Sequence, residues 1–379
     1  MTTIFRPDGI ALDVGPGKPT RVNALIGASH RRNISDQLRK LDALREAEAP
    51  CQIVSDLSIV QNQTPIWKAV LGYGYFAATL PIYTVEPRDG CIDEHELLDR
   101  VREQAEGGVG IITIHPTPTP EIISEAQSRL VPFTSRGGGI VIKDLAVSRR
   151  RENVYLRILP DIIAICLKYK TTISLGASFR SANIFDSADT AQMSEIRLQL
   201  ELAKQIKREG AEVIIESPGH ARPSSIAVIA DVLSSTGIPI MPLGPIPTDV
   251  AVGQDHVSSA IGATLMGLKG AAHILAAVTR EEHTGNIPTI SSTIEAVRAA
   301  AIAAHVIDIE MLGAITEDLA ITERRAATRT CVDGKLSKGC NRCATKCPLY
   351  AVQDSGDYFR NEQGFNPLNS LSSKRGRAR

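Results

Sequence analysis

The sequence predicts an α/β fold, a (β/α)8 TIM-type barrel carrying a C-terminal helical adapter and a cysteine-rich arm. Three observations carry that expectation. Eight short apolar runs, each ending in a polar or Gly-rich turn, punctuate residues 21–279. Segments of helical spacing separate them, which is the alternation of a parallel sheet with crossover helices. Titratable residues collect at the ends of the runs while the interiors stay apolar, as expected where loops after parallel strands converge on one mouth.

In chain order, residues 1–20 carry Pro, Gly and Asp without periodicity and are expected to form an irregular lead-in. The barrel domain is placed at 21–287. Its strand runs are 21–27, 51–57, 74–83, 110–115, 171–176, 212–219, 238–245 and 272–279. Between them, 33–47 is charged and amphipathic, 92–106 has apolar positions at helical spacing, and 190–209 is the clearest helix. Residues 131–144 offer a ninth apolar run that reads either as a strand or as a loop opening a helix. After Pro288 the pattern is helical, with an Ala-rich stretch at 292–308 and a charged one at 316–328, so 288–330 is expected to be an adapter before the arm and basic tail at 331–379.

The chain has 379 residues, with 42 Lys plus Arg against 42 Asp plus Glu. It can bury a large core, and no global basic field points to nucleic acid. No charged-then-apolar leader and no apolar run near the roughly 18 residues of a bilayer span are apparent, so a cytoplasmic protein with no membrane partner is expected. In a reducing compartment the seven cysteines are poor disulfide formers. Cys51, Cys91 and Cys166 read as core or surface thiols. Cys340, Cys343 and Cys347 lie within eight residues, with Lys, Arg and Asn between them, and read as ligands of one metal centre. A zinc knuckle and a pair of disulfides remain alternatives for that stretch.

The polar residues at the run ends are Tyr83, His115, Arg180, Glu216, His220, Asp249, Asp255, His256 and His283. Ser135-Arg136-Gly137-Gly138-Gly139 offers an Arg and unhindered backbone N–H groups suited to a phosphate, if a helix starts there; a flexible turn is an equal reading. His220 and His283, from different strand ends, could share a divalent metal. Asp249 and Asp255-His256 are candidates for acid–base work or for holding the ligands in place.

Together, Thr113-Ile-His115, Ser135-Arg-Gly-Gly138, Ser174-Leu-Gly176 with Arg180, Ile215-Glu216-Ser-Pro-Gly-His220, Leu243-Gly-Pro245, Thr248-Asp249, Asp255-His256 and Val278-Thr with Glu282-His283 resemble the phosphomethylpyrimidine synthase (ThiC) family, a radical S-adenosylmethionine group. The resemblance covers roughly residues 21–290 and the terminal cysteines, without that family's separate N-terminal domain. It implies a lyase that rearranges aminoimidazole ribotide, or a related small phosphorylated substrate, to hydroxymethylpyrimidine phosphate for thiamine. It implies a [4Fe–4S] cluster, S-adenosyl-L-methionine, a Zn2+-type metal, an electron donor of the flavodoxin or ferredoxin type, and a homodimer. By the same resemblance Tyr83, His115, Ser135, Arg136, Gly137, Arg180 and Glu216 would contact substrate. Glu216, Asp249 and His256 are the catalytic candidates, His220 and His283 would hold the zinc-type metal, and Cys340, Cys343 and Cys347 the cluster.

The chain departs from the family pattern at Leu25, where the family has Asn, at Ser55 for Met, at Ala177 for Asp and at Met241 for Tyr. Phosphate-side groups are kept while groups that would read a heterocycle are lost, which suggests a paralogue with a different ribotide-like substrate. The cysteine spacing also departs, Cys-x2-Cys-x3-Cys in place of Cys-x2-Cys-x4-Cys, with Cys331 nine residues upstream as a possible fourth ligand. A non-radical, zinc-stabilised binding barrel and a cluster used only for electron transfer are the rival readings.

Overall fold

The computed structural model describes residues 1–328, 330–333 and 342–347. The chain divides into a unit of residues 1–312 and a unit of residues 313–379.

The first unit opens with an antiparallel hairpin, β1 (Thr2–Phe5) and β2 (Ala11–Val14). Eight strand–helix steps follow. They are β3 (Arg21–Ile26) and α1 (Ile34–Glu46), β4 (Ile53–Asp56) and α2 (Ile66–Gly72), then β5 (Phe76–Thr79) and α3 (Glu94–Glu106). After β6 (Ile111–Ile114) come α4 (Pro120–Ala126), α5 (Arg136–Ser148), α6 (Val154–Arg157) and α7 (Leu159–Tyr169). Then come β7 (Thr172–Leu175) and α8 (Thr190–Arg208), β8 (Val213–His220) and α9 (Pro223–Ser234), β9 (Ile240–Ile246) and α10 (Asp255–Gly267), and β10 (Ile274–Ala277) and α11 (Ile290–Leu312).

The eight strands from β3 to β10 pair in parallel in the order β10-β3-β4-β5-β6-β7-β8-β9. Between the two ends of that order, β9 and β10, the sheet closes through one residue. The His273 N–H donates to the Ile240 carbonyl at 2.9 Å, and the Ile240 N–H donates to His273 Nδ1 at 3.0 Å. A side-chain nitrogen stands there in place of a ladder carbonyl. Most strands are four residues long and buried at every position, as befits strands covered on both faces.

The lead-in is not irregular. Ile4, Leu12 and Val14 of the hairpin join Ile53, Phe76, Ile111, Ile214 and Ile274 in one apolar cluster inside the barrel. The alternation of β1 and β2 was too short to register as periodicity, and it places one face of each against the N-terminal ends of the barrel strands. The hairpin thereby stops that end, with the Thr2 hydroxyl donating to the Val213 carbonyl at 3.1 Å.

Residues 131–144 are a loop opening a helix: Ser135 caps α5, its Oγ accepting from the Gly138 N–H at 3.1 Å. The adapter expected at 288–330 divides differently. Helix α11 packs against β3, α1 and α10 as the eighth crossover helix, and the break falls after Leu312. Helix α11 also corrects the expectation about apolar length, because it is long and apolar enough to cross a membrane by length and composition. Its composition follows from packing: Ala296, Val297, Ala300, Ala303, Ala304 and Ile307 are buried in the barrel's outer core. Small side chains on that face let the helix sit close, as where a Cβ on Gly267 of α10 would meet Ile307 Cδ1 at 2.2 Å.

In the second unit, α12 (Thr316–Thr328) is followed by Asp333, whose carboxylate pairs with Arg324 at 2.8 Å. A 3-10 turn, Ala344–Lys346, lies between Cys343 and Cys347.

Candidate functional site

The mouth at the strand C-termini holds a cavity of about 310 Å3. Tyr83, His115, Ser135, Arg136, Arg180, Glu216, His220 and His283 all line it, so residues spread over 200 positions of sequence meet in one place. Three regions of different chemistry share its wall.

The first is cationic. Arg136 begins α5 and lies over the Tyr83 ring, 5.2 Å from its centroid. The positive end of the α5 dipole faces the same side as Arg136 and Arg180, which suits a phosphate. The glycine run is a packing device here. A Cβ on Gly137 would stand 2.3 Å from His115 Cε1, one on Gly176 2.7 Å from His115 Nε2, and one on Gly138 2.6 Å from Ser178 Cβ. His115 is thus seated between two glycines. Burial, helped by the Arg180 charge, pushes its pKa down to about 3, so the ring is neutral, and its buried Nδ1 has no hydrogen-bond partner. The Tyr83 phenol is held above its usual range, mainly by burial.

The second region is a carboxylate. Glu216, on β8, accepts from the Thr113 hydroxyl at 3.2 Å and the Ala177 N–H at 3.4 Å. Burial raises its pKa while the Arg180 charge opposes the rise. The Arg180 guanidinium donates to the Ala177 carbonyl at 2.9 Å, so the short side chain at 177 leaves the backbone as the partner of both groups.

The third is a pair of imidazoles. His220 Nδ1 meets Asp249 Oδ1 at 2.6 Å, His283 Nδ1 meets Asp255 Oδ1 at 2.7 Å, and the two Nε2 atoms face each other at 3.0 Å. With each Nδ1–H given to a carboxylate, both Nε2 atoms present lone pairs to the same point, an arrangement that repels unless a cation lies between them. The separation is close to the edge of a tetrahedral zinc shell, roughly 3.3 Å for Zn–N bonds of about 2.05 Å. The donor set therefore fits a Zn2+-type ion, oriented by Asp249 and Asp255. Asp249 is also tied down by the Ile184 N–H at 3.0 Å. The pKa of His220 is lowered mainly by burial, with Asp249 opposing.

One barrel candidate falls outside this gathering. His256 does not line the cavity. It is the second residue of α10, beside Val278, Ala296 and Ala300, because the helical turn after Asp255 carries it toward α11. Among the cluster cysteines, Cys340 lies outside the described residues, Cys343 is half-buried, Cys347 is buried and Cys331 is exposed. Cys51 and Cys166 are core thiols, both pushed up to about 12 by burial, and Cys91 is half-buried.

The departures from the family pattern can be placed too. Leu25, Ser55 and Met241 line the cavity. Ser55 and Asn23 exchange hydrogen bonds at 2.9 and 3.0 Å, and Asn23 Nδ2 approaches Met241 Sδ at 3.6 Å. The polar floor thus satisfies itself, and Leu25, Leu57, Leu80, Leu243 and Val278 give the wall beside it an apolar character.

Sequence reasoning missed Asn23 and the buried polar stripe of α8 described below, and named Thr113 only as a motif residue. The available signal was Gln192, Glu195 and Gln199 falling on the face that also carries Ala191, Ile196, Ala203 and Ile206.

Fold and site define a barrel with a cationic pole, a buried carboxylate and a facing pair of imidazoles at one mouth. The description of the Radical SAM ThiC family matches residues 3–349, and the chain belongs to that family. Relatives include the phosphomethylpyrimidine synthase of Carboxydothermus hydrogenoformans, 30% identical over 376 residues that cover 90% of this chain and 86% of that protein. The phosphomethylpyrimidine synthase of Desulforudis audaxviator is 34% identical, covering 79% and 71%. The 5-hydroxybenzimidazole synthase BzaB of Moorella thermoacetica is 30% identical, covering 91% and 86%. Family membership makes this chain a radical S-adenosylmethionine enzyme and implies S-adenosylmethionine, a [4Fe–4S] cluster, a small phosphorylated substrate and a reductant.

Proposed function

We propose that the chain rearranges a ribotide-like phosphorylated substrate in a radical reaction of the phosphomethylpyrimidine synthase type, feeding pyrimidine synthesis for thiamine or a related ring-forming step. One observation carries this: a cationic helix start, a buried carboxylate and a dihistidine seat share a single cavity of about 310 Å3. Ser135, Arg136 and the α5 N-terminus take the phosphate, with Arg180 closing on it from β7. Tyr83 and the neutral His115 orient the sugar by hydrogen bonds. Glu216, its pKa raised by burial, accepts or returns a proton at its carboxylate oxygens. His220 and His283 would hold a Zn2+-type ion, and the thiolates of Cys340, Cys343 and Cys347 would hold the cluster. When bound, cluster and S-adenosylmethionine supply the hydrogen-abstracting radical. The hairpin closes the opposite end of the barrel.

The apolar wall favours a paralogue over the thiamine enzyme itself. Leu25 and Ala177 offer no side-chain partner to a polar ring, and a polar edge left unpaired there costs roughly 1–3 kcal/mol. The relationship to the benzimidazole synthase shows that proteins of this similarity differ in product. A flavodoxin or ferredoxin type donor, a homodimer and a cytoplasmic location belong to the same proposal. The test is turnover of aminoimidazole ribotide by the anaerobically reconstituted protein. A product other than hydroxymethylpyrimidine phosphate, or none, supports the paralogue, and efficient formation of that phosphate refutes it.

A further inference from the structure

From its sequence α8 is an amphipathic crossover helix, yet Gln192, Glu195 and Gln199 are each only 1% exposed. Their spacing puts them on one stripe, facing the C-terminal ends of β7 and β8. Gln199 Nε2 donates to the carbonyls of Leu175, Gly176 and Glu216 at 3.0–3.1 Å, and Gln192 Nε2 to that of Pro218 at 2.7 Å. Glu195 does more. Its Oε1 accepts from the Ser178 N–H at 2.7 Å and the Thr117 hydroxyl at 2.5 Å, and its Oε2 accepts from the Phe179 N–H at 2.8 Å.

A buried carboxylate is unfavourable, and burial pushes this one up to about 7. An amide of the same shape would turn an N–H toward one of the converging donors, so only an acceptor-only group meets all three. Two of those donors are the residues just before Arg180. Thr117 belongs to the loop after β6 that also carries His115. Ser178 packs on the start of α5, where Gly138 admits it.

The geometry points to Glu195 as the positioning residue of the phosphate pole: gripping Thr117, Ser178 and Phe179 together, it fixes where Arg180 and the α5 N-terminus meet the substrate's phosphate. This rests on reading that pole as a phosphate seat.

The test is calorimetric titration of ribose 5-phosphate, and separately of Zn2+, into the full chain and its variants. Glu195→Gln is expected to weaken ribose 5-phosphate about tenfold, as for a lost hydrogen bond to a charged group, while Zn2+ affinity stays within about twofold. Thr117→Val, which removes one donor and guards against a Glu195→Gln protein that fails to fold, is expected to weaken it less. In an Arg180→Ala background Glu195→Gln is expected to add clearly less than it costs the unmodified protein, because part of its effect runs through Arg180. Equal losses of Zn2+ and sugar phosphate, an undiminished effect without Arg180, or unchanged sugar-phosphate binding would each overturn the assignment. Failure of the unmodified protein to bind ribose 5-phosphate would instead overturn the phosphate pole itself, and the assignment with it.

Discussion

Gly137 shows how much of the site rests on missing atoms. A Cβ there would meet the His115 ring at 2.3 Å, and the ring is held on its other side by Gly176. Gly137→Ala is therefore expected to push the imidazole or the α5 start aside, costing about 1–3 kcal/mol of stability and most of the affinity for a phosphorylated ligand. Thermal melts and titration of ribose 5-phosphate would check both. Asp255 supports a second expectation. It accepts from His283 while 1% exposed, so Asp255→Asn removes the charge that fixes the imidazole's tautomer. Zn2+ affinity is expected to fall about 10–100-fold, measured by competition with a chelator. Both were visible as motif members, and holding a ligand in place was among the readings for Asp255, but the seat that Gly137 makes for His115 was not foreseen. A glycine run looks the same whether it bends freely or receives a neighbouring ring, since that neighbour lies 22 residues away in the chain.

Among the elements, β9 and β10 make the closure of the barrel depend on a titratable ring. His273 is neutral in the fold, with burial first and the N-terminal amine second holding its pKa down to about 4, against 6.5 for an unstrained histidine. The unfolded chain takes up a proton as pH falls below 6.5 and the folded chain does not. The contribution of the neutral ring is whole above 6.5 and is lost progressively toward pH 4, a difference of about 3 kcal/mol. Denaturant unfolding at pH 7.5 and pH 4 is expected to show that much more acid loss in the native protein than in His273→Asn. The strands and crossover helices were legible because unbroken apolar runs and 3.6-residue spacing leave a local trace. The hairpin β1–β2 and the polar stripe of α8 were not. A four-residue strand carries too few alternations to count, and Gln or Glu on a helix reads as solvent-facing until the partners arriving from β7 and β8 are known.

At the scale of the whole molecule, the hairpin closes one end of the barrel and the cavity lies at the other. The cavity there keeps the residues suited to phosphate and metal and changes those beside Leu25 and Met241, so the family was readable from the sequence while the substrate was not. Spacing flags a glycine turn, but ring recognition depends on which side chains satisfy one another, as Asn23 and Ser55 do. The proposed radical chemistry at a cluster held by Cys340, Cys343 and Cys347 would need an iron open to S-adenosylmethionine, so Cys331, the possible fourth ligand, is expected not to hold the cluster. The most direct test of that chemistry is the amount of 5′-deoxyadenosine released when the anaerobically reconstituted protein is reduced in the presence of S-adenosylmethionine. Release that persists in Cys331→Ala and is lost in Cys340→Ala, Cys343→Ala and Cys347→Ala is expected; no release from protein with a full cluster, or loss of the cluster in Cys331→Ala, would contradict it.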